Sequence, residues 1–282
     1  VLGVLRQPVR GRPRGPRRPR RKAAVLELAC GRGGDLGKWR KAVDVEKLVA
    51  CDISTVALAE AESRWTSDGG PAGGFVVGDL GDPALGAKCR AAAGVFAPWA
   101  DLAACHFALH YACGAPDRVD AFLDCVVSNL KAGGVFVATI VDWRALRRHV
   151  SAASPAKIGG ELCEVAAPSE TIAALAAFDE DDDEGDAAWG LEYSFSLGDA
   201  VRDCQEFVVH EPTLRAKAAA RGLRRVYFEN FGVFLDACRA EDGFGDLAGA
   251  VGVRPSRPGD DPLSDDQFAV ATLYAVVAFA RE

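Results

Sequence analysis

The chain contains no methionine, has no Cys-x-x-Cys pair among its nine cysteines, and carries no acidic residue in its first 22 positions. A chain that opens Val1-Leu2 and lacks Met is expected to be a fragment with a truncated or artefactual start. Without paired cysteine spacings zinc has no support, and no metal site is expected. With no signal peptide visible, the cysteines read as reduced thiols rather than as a disulfide framework. The longest apolar runs, such as residues 269–280, fall short of the roughly 18–20 residues that a membrane-spanning helix needs. No membrane partner is expected.

What remains is 282 residues, 49% apolar and 26% charged, which suits one large domain or one domain with an insert. The net charge of −7 hides an asymmetry: residues 1–22 hold nine basic side chains, leaving the remainder at −16. That Arg/Pro/Gly head cannot build a core and reads as a disordered basic arm ahead of a domain at 23–282. Asp179–Asp186 has seven acids in eight residues and reads as an exposed loop. An EF-hand reading fails there, because Gly185 sits one place late and position twelve would be Gly190.

From Ala23 strands and helices alternate. Short apolar runs at 25–29, 47–52, 75–77, 102–107 and 135–140 read as strands, with helices at 36–43, 55–65 and 116–130 between them. Ser54 reads as a helix N-cap. This order predicts a doubly wound, Rossmann-like α/β fold: a mostly parallel seven-stranded sheet, helices on both faces, and an insertion after the fifth strand. Ligands on such a sheet bind beyond the carboxyl ends of the strands. Further strands are predicted at 193–197, 206–210, 224–229 and 269–280, a helix at 212–221, and a loop across 239–261.

The most informative segment is Val25-Leu-Glu-Leu-Ala-Cys-Gly-Arg-Gly-Gly-Asp-Leu36. Its glycines allow turns and a close backbone approach that a Cβ would forbid. A dinucleotide loop would want Gly-x-Gly-x-x-Gly, but the third position is Leu36. Glu27 is also the wrong charge beside a pyrophosphate; it suits a cationic ligand, as the amino group and sulfonium of S-adenosyl-L-methionine would be. Asp52 closes the second strand about 20 residues beyond the glycines, where a carboxylate can take both ribose hydroxyls. Asp79 closes the third, where it could accept from an adenine amino group. Either acid alone could equally be a cap or a turn. With Lys131-Ala-Gly-Gly134 before the fifth strand, the set resembles the layout of class I methyltransferases over residues 25–140.

The run Cys105-His-Phe-Ala-Leu-His-Tyr111 narrows this further. The chain resembles the messenger-RNA cap guanine-N7 methyltransferases from residue 23 to its end. Their motif Asp-Leu-Gly-Cys-Gly-Lys-Gly-Gly-Asp-Leu is matched by Glu27–Leu36, and Gln-Phe-x-x-His-Tyr by His106–Tyr111. Their Pro-Glu-Phe/Tyr-Leu-Val is matched by Gln205–Val209. A closing Tyr-x-x-Phe-Ala-Phe strand is matched by Tyr274–Phe279, with one residue more between. The resemblance implies cofactor binding by Glu27, Ala29, Gly31, Gly33, Asp52, Asp79, His106 and Tyr111. It implies cap binding by Arg32, Lys38, Arg64, His110, Phe195, Glu206 and Tyr274, none acting as a general acid or base. Glu206 is the candidate for the guanine N1–H and amino pair, which one carboxylate can accept together; its other reading is an exposed strand Glu. Phe195, Tyr111 and Tyr274 could stack on a base, although strand aromatics are usually core. His110 reads as a positioning residue or as a core histidine.

The resemblance implies a nuclear enzyme acting on the capped 5′ end of RNA, with guanylyltransferase and triphosphatase or the RNA polymerase II machinery as partners. Two other readings stand beside it: a class I methyltransferase of small molecules or proteins, and a non-catalytic RNA-binding relative. The departures bear on them. The family's Asn-Asn-Trp-x-Lys helix has no counterpart in the Arg/Pro arm. Glu27 stands for Asp, Ala29 for Gly, His106 for Gln, and Val141 for Pro.

Overall fold

The computed structural model describes residues 22–42, 44–71, 73–180, 182, 184–198, 201–239 and 264–282. The basic arm up to residue 21 and nearly all of the 239–261 segment lie outside the described residues. The chain divides into two compact units, residues up to Thr139 with 215–227 and 277–282, and residues 140–214 with 228–276.

In the first unit, β1 (Lys22–Leu28), β2 (Asp44–Asp52), β3 (Gly73–Val77), β4 (Ala100–His106) and β5 (Leu130–Val141) form the expected parallel array. The pairs β1–β2, β2–β3, β1–β4 and β4–β5 are all parallel. The seven-stranded sheet has the order β10-β11-β5-β4-β1-β2-β3, with β10 (Leu223–Asn230) and β11 (Tyr274–Arg281) added at one edge. The order reverses direction at β1 and β4, and there the glycine turn emerges.

The helices are α1 (Leu36–Ala42), α2 (Thr55–Ser67), α3 (Leu85–Ala92) and α4 (Pro116–Asn129), followed by α5 (Trp143–Ala152) and α6 (Ser169–Ala177). Then come α7 (Glu211–Ala219), α8 (Phe231–Arg239) and α9 (Asp265–Ala271). Ser54 caps α2, its Oγ accepting from the Ala57 N–H at 3.2 Å. Helix α2 buries Leu58, Ala61 and Trp65, one stripe at helical spacing, against Val25, Leu48, Ala50 and Trp39. Proline at the first turn of α4 loses no helical hydrogen bond. On its outer side Asp120 accepts from Lys217 and Arg221 of the α7 segment.

The second unit holds the insertion: an antiparallel sheet β6-β7-β8-β9 built from Ala156–Ile158, Cys163–Ala166, Glu192–Leu197 and Val201–Phe207. Its core gathers Trp143, Leu146, Val165, Leu175, Tyr193, Phe195 and Leu273. Three expectations shift. The strand anticipated at 206–210 ends at Phe207 and begins at Val201, because it pairs backward onto β8. The single strand anticipated at 269–280 is helix α9, closed at its start by a Ser264/Gln267 capping box, followed by β11. Lys22 belongs to β1 rather than to the arm. In the acidic segment, Glu180 is engaged by Arg144 and Arg147 of α5, which ties its start to the core of this unit.

Candidate functional site

The turn after β1 is shaped by left-handed backbone at Ala29, Gly31 and Gly33, with φ of 55°, 51° and 77°. At Gly33 the positive φ strains any side chain, and a Cβ would also sit tightly, 3.1 Å from the Ala61 Cα of α2. At Gly31 the space a Cβ would fill is open, so a ligand can meet the backbone there. Ala29 pays the left-handed penalty that the glycine expected by the resemblance would avoid. Asp52 secures the turn, its Oδ2 accepting from the Gly31 N–H at 2.7 Å and its Oδ1 from Ser54 N–H at 2.9 Å. A carboxylate has about four lone-pair positions, so both bonds leave capacity for hydroxyl donors.

Glu27 is 2% exposed, and its Oε2 accepts from the indole N–H of Trp39 at 2.5 Å. Burial, reinforced by the nearby Asp35 charge, pushes its pKa up to about 8 despite the Trp39 bond and Lys38. One potential ligand atom from each of Glu27, Asp35 and His106 lies within 4.8 Å of the other two. His106 sits at the end of β4, its Nδ1 paired with the Thr139 hydroxyl at 2.9 Å, and burial lowers its pKa. Two carboxyl groups and an imidazole converging beside an open glycine turn form an acceptor set for a cation once Glu27 gives up its proton. The ammonium and sulfonium of S-adenosyl-L-methionine fit that chemistry. Asp79 closes the adjacent rim, its Oδ1 accepting from Gly81 N–H and from Arg118, both at 2.8 Å.

The cations expected at the cap lie on the same unit. Arg32 of the glycine turn and Arg64 of α2 both engage Glu60 of α2, so one acid brings two exposed guanidinium groups together. Lys38 pairs with Asp35. His110 is 3% exposed in a 3-10 turn, Leu109–Ala112, edge-on to Tyr111 with ring centroids 4.2 Å apart. Burial pushes its pKa down to about 3, so the ring is neutral. Tyr111 itself is 40% exposed.

In the second unit Glu206 is not an exposed strand acid. It is 6% exposed and lies directly opposite Tyr193 in the β8–β9 ladder, accepting from its hydroxyl at 2.6 Å. Burial raises its pKa to about 7, and the Tyr193 bond works against that rise. Phe195 is 4% exposed within the apolar core, its ring edge-on to Tyr274 at 6.4 Å. Trp39, Asp35, Thr139, Arg118 and Tyr193 escaped the sequence reading. Asp35 lies within the glycine turn itself, and the others act through contacts 12 or more positions away in the chain. Only the Tyr193–Glu206 pair had a signal, a strand spacing that pairs them across one hairpin.

Comparison with known proteins bears on this geometry. The mRNA cap guanine-N(7) methyltransferase 1 of Arabidopsis thaliana is 28% identical over 261 residues, covering 89% of this chain and 67% of the relative. The mRNA cap guanine-N(7) methyltransferase of Drosophila melanogaster is 26% identical over 287 residues, covering 91% of this chain and 64% of the relative. The chain thus spans about two thirds of the length of these curated relatives. In fold, it is similar to the PH0226 protein from Pyrococcus horikoshii OT3, with a TM-score of 0.50 at 14% identity, covering 93% and 83% of the two chains. The family description mRNA (guanine-N(7))-methyltransferase domain matches residues 14–282, a span that starts within the basic arm. With that match running across the α/β sheet, the glycine turn and the insertion alike, the chain belongs to the mRNA (guanine-N(7))-methyltransferase family.

Proposed function

We propose that the protein methylates N7 of the terminal guanosine of GpppRNA, with S-adenosyl-L-methionine as donor. The observation that carries this reading is the buried Glu206 carboxylate held by Tyr193 in a chain of this family. Guanine presents N1–H and its amino group side by side, and adenine does not, so a fixed carboxylate selects guanine. The donor supplies an activated methyl group on a sulfonium.

The chain's residues then have positioning tasks. Asp52 takes the ribose hydroxyls, Asp79 the adenine amino group, and Glu27 with Asp35 and His106 the cationic end, beside Gly31 and Gly33. Ala29 and Tyr111 complete that wall. In the first unit Arg32, Lys38 and Arg64 offset the triphosphate charge and His110 is a cap-positioning residue; in the second, Phe195 and Tyr274 are the aromatic faces for the base. Guanine N7 has an exposed lone pair, so no general base is required. Alignment and exclusion of water are the source of rate, with a ceiling of roughly 7–11 kcal/mol. Capping of nascent transcripts places such an activity in the nucleus, beside guanylyltransferase and triphosphatase. We assign residues 22–282 to one methyltransferase domain, with 1–21 as its basic arm and 179–186 as its acidic loop.

The test is transfer from labelled donor to GpppRNA and ApppRNA. The parent is expected to methylate only the first, and Glu206→Ala to lose that transfer. Undiminished transfer by Glu206→Ala would refute the guanine assignment.

A further inference from the structure

Arg118 stands in the first turn of α4, where the helix dipole disfavours a cation. Its guanidinium reaches the rim of the cofactor site. Nη2 donates to Asp79 Oδ1 at 2.8 Å and to the Tyr111 backbone carbonyl at 3.3 Å. The same Asp79 oxygen accepts from the Gly81 N–H. The guanidinium lies flat on Gly81: a Cβ at that position would be 2.6 Å from Arg118 Cζ. One side chain thus ties the end of β3 to the 3-10 turn after β4, the two segments that carry Asp79 and Tyr111. Both donors take Oδ1, and among the described residues no bond to Oδ2 is seen.

We propose that Arg118 is a positioning residue for the adenine end of the donor, holding Asp79 so that Oδ2 is presented to the exocyclic amino group. The inference rests on the cofactor reading above and adds the residue that sets its base specificity. An adenine amino group donates to the held carboxylate. A hypoxanthine base presents a carbonyl oxygen at that place, and two acceptors facing one another repel. A rotationally restrained carboxylate enforces this difference, whereas a loose one turns away from it.

The experiment is calorimetric titration of the whole chain with S-adenosylhomocysteine and with its deaminated analogue, S-inosylhomocysteine. Arg118→Met removes the clamp. Gly81→Ala leaves the charge in place but pushes the guanidinium off its seat. Both are expected to weaken S-adenosylhomocysteine binding about tenfold, the scale of one charge-assisted hydrogen bond. Binding of the deaminated analogue is expected to hold or tighten as the repulsion is relieved, so that discrimination collapses, and Arg118→Lys to restore part of it. If both ligands weaken equally in variants that melt like the parent, Arg118 only supports the fold and the inference is overturned. If Asp79→Ala keeps the parent's discrimination, Asp79 is not the adenine acceptor and the inference falls. Failure of the folded parent to bind S-adenosylhomocysteine at all would remove the cofactor reading itself, and this inference with it.

Discussion

Replacing Glu27 by Gln removes one negative charge while keeping a side-chain carbonyl to accept from the Trp39 indole. The parent carboxylate is buried beside Asp35 with its pKa pushed up to about 8, so near pH 7 it is mostly protonated until a cation arrives. Binding an ammonium ligand requires that proton to leave, which costs about 1.4 kcal/mol at pH 7. Breaking a buried charge pair from one side costs roughly 3–5 kcal/mol. The difference, about 1.6–3.6 kcal/mol, predicts that Glu27→Gln weakens S-adenosylhomocysteine binding roughly 15- to 400-fold at pH 7. The assay is titration calorimetry in buffers of different ionisation enthalpy. The parent should release close to one proton per ligand bound near pH 7, and the Gln variant almost none. Stability without ligand carries the opposite sign. Because the folded-state pKa is raised, the Glu27 contribution is complete below about 4.5 and lost as pH rises through about 8. The Gln variant should therefore gain in Tm over the parent between pH 6 and pH 9. Binding within threefold of the parent, or a parent that releases no proton, would refute the reasoning.

Glu206 must be ionised to accept from guanine, and its pKa near 7 predicts that KM for capped RNA rises as pH falls below 7. Tyr193→Phe removes the bond that opposes the rise, so the same profile should move to higher pH with kcat less affected. Ala29→Gly should stabilise the protein by about 1 kcal/mol in denaturant unfolding, because it relieves left-handed backbone at φ 55°. Gly33→Ala should cost about 2 kcal/mol and lower cofactor affinity, since both the backbone and the Ala61 contact oppose a Cβ. Asp120→Ala should cost about 1 kcal/mol at low salt and less at high salt, the partly exposed Lys217 and Arg221 losing their shared partner.

The elements legible in the sequence are those whose cause is local. Strand β1 running into the glycine turn, the Ser54 cap and the acids closing β2 and β3 are patterns within ten or so residues. The insertion was less legible for a physical reason. Strands β6 and β7 are only three and four residues long, and α5 alternates arginines with apolar residues whose partners come from α6, β6 and β7. Helix α9 was missed because its apolar residues run without a break into β11, and only the capping box marks where it starts.

By itself, then, the sequence determined the alternating α/β order, the acidic glycine turn and the family motifs in their order, because these depend on residue type and spacing. Only the tertiary structure decided which of these acids carry a burden. Burial makes Glu27 and Glu206 reluctant carboxylates, cross-strand register puts Tyr193 opposite Glu206, and the fold brings Arg118 to Asp79 across 39 positions. Desolvation and long-range pairing depend on what surrounds a side chain, and no local spacing encodes that. The chain that begins without methionine and without an acid in its first 22 residues thus holds its most consequential acids where water is scarce.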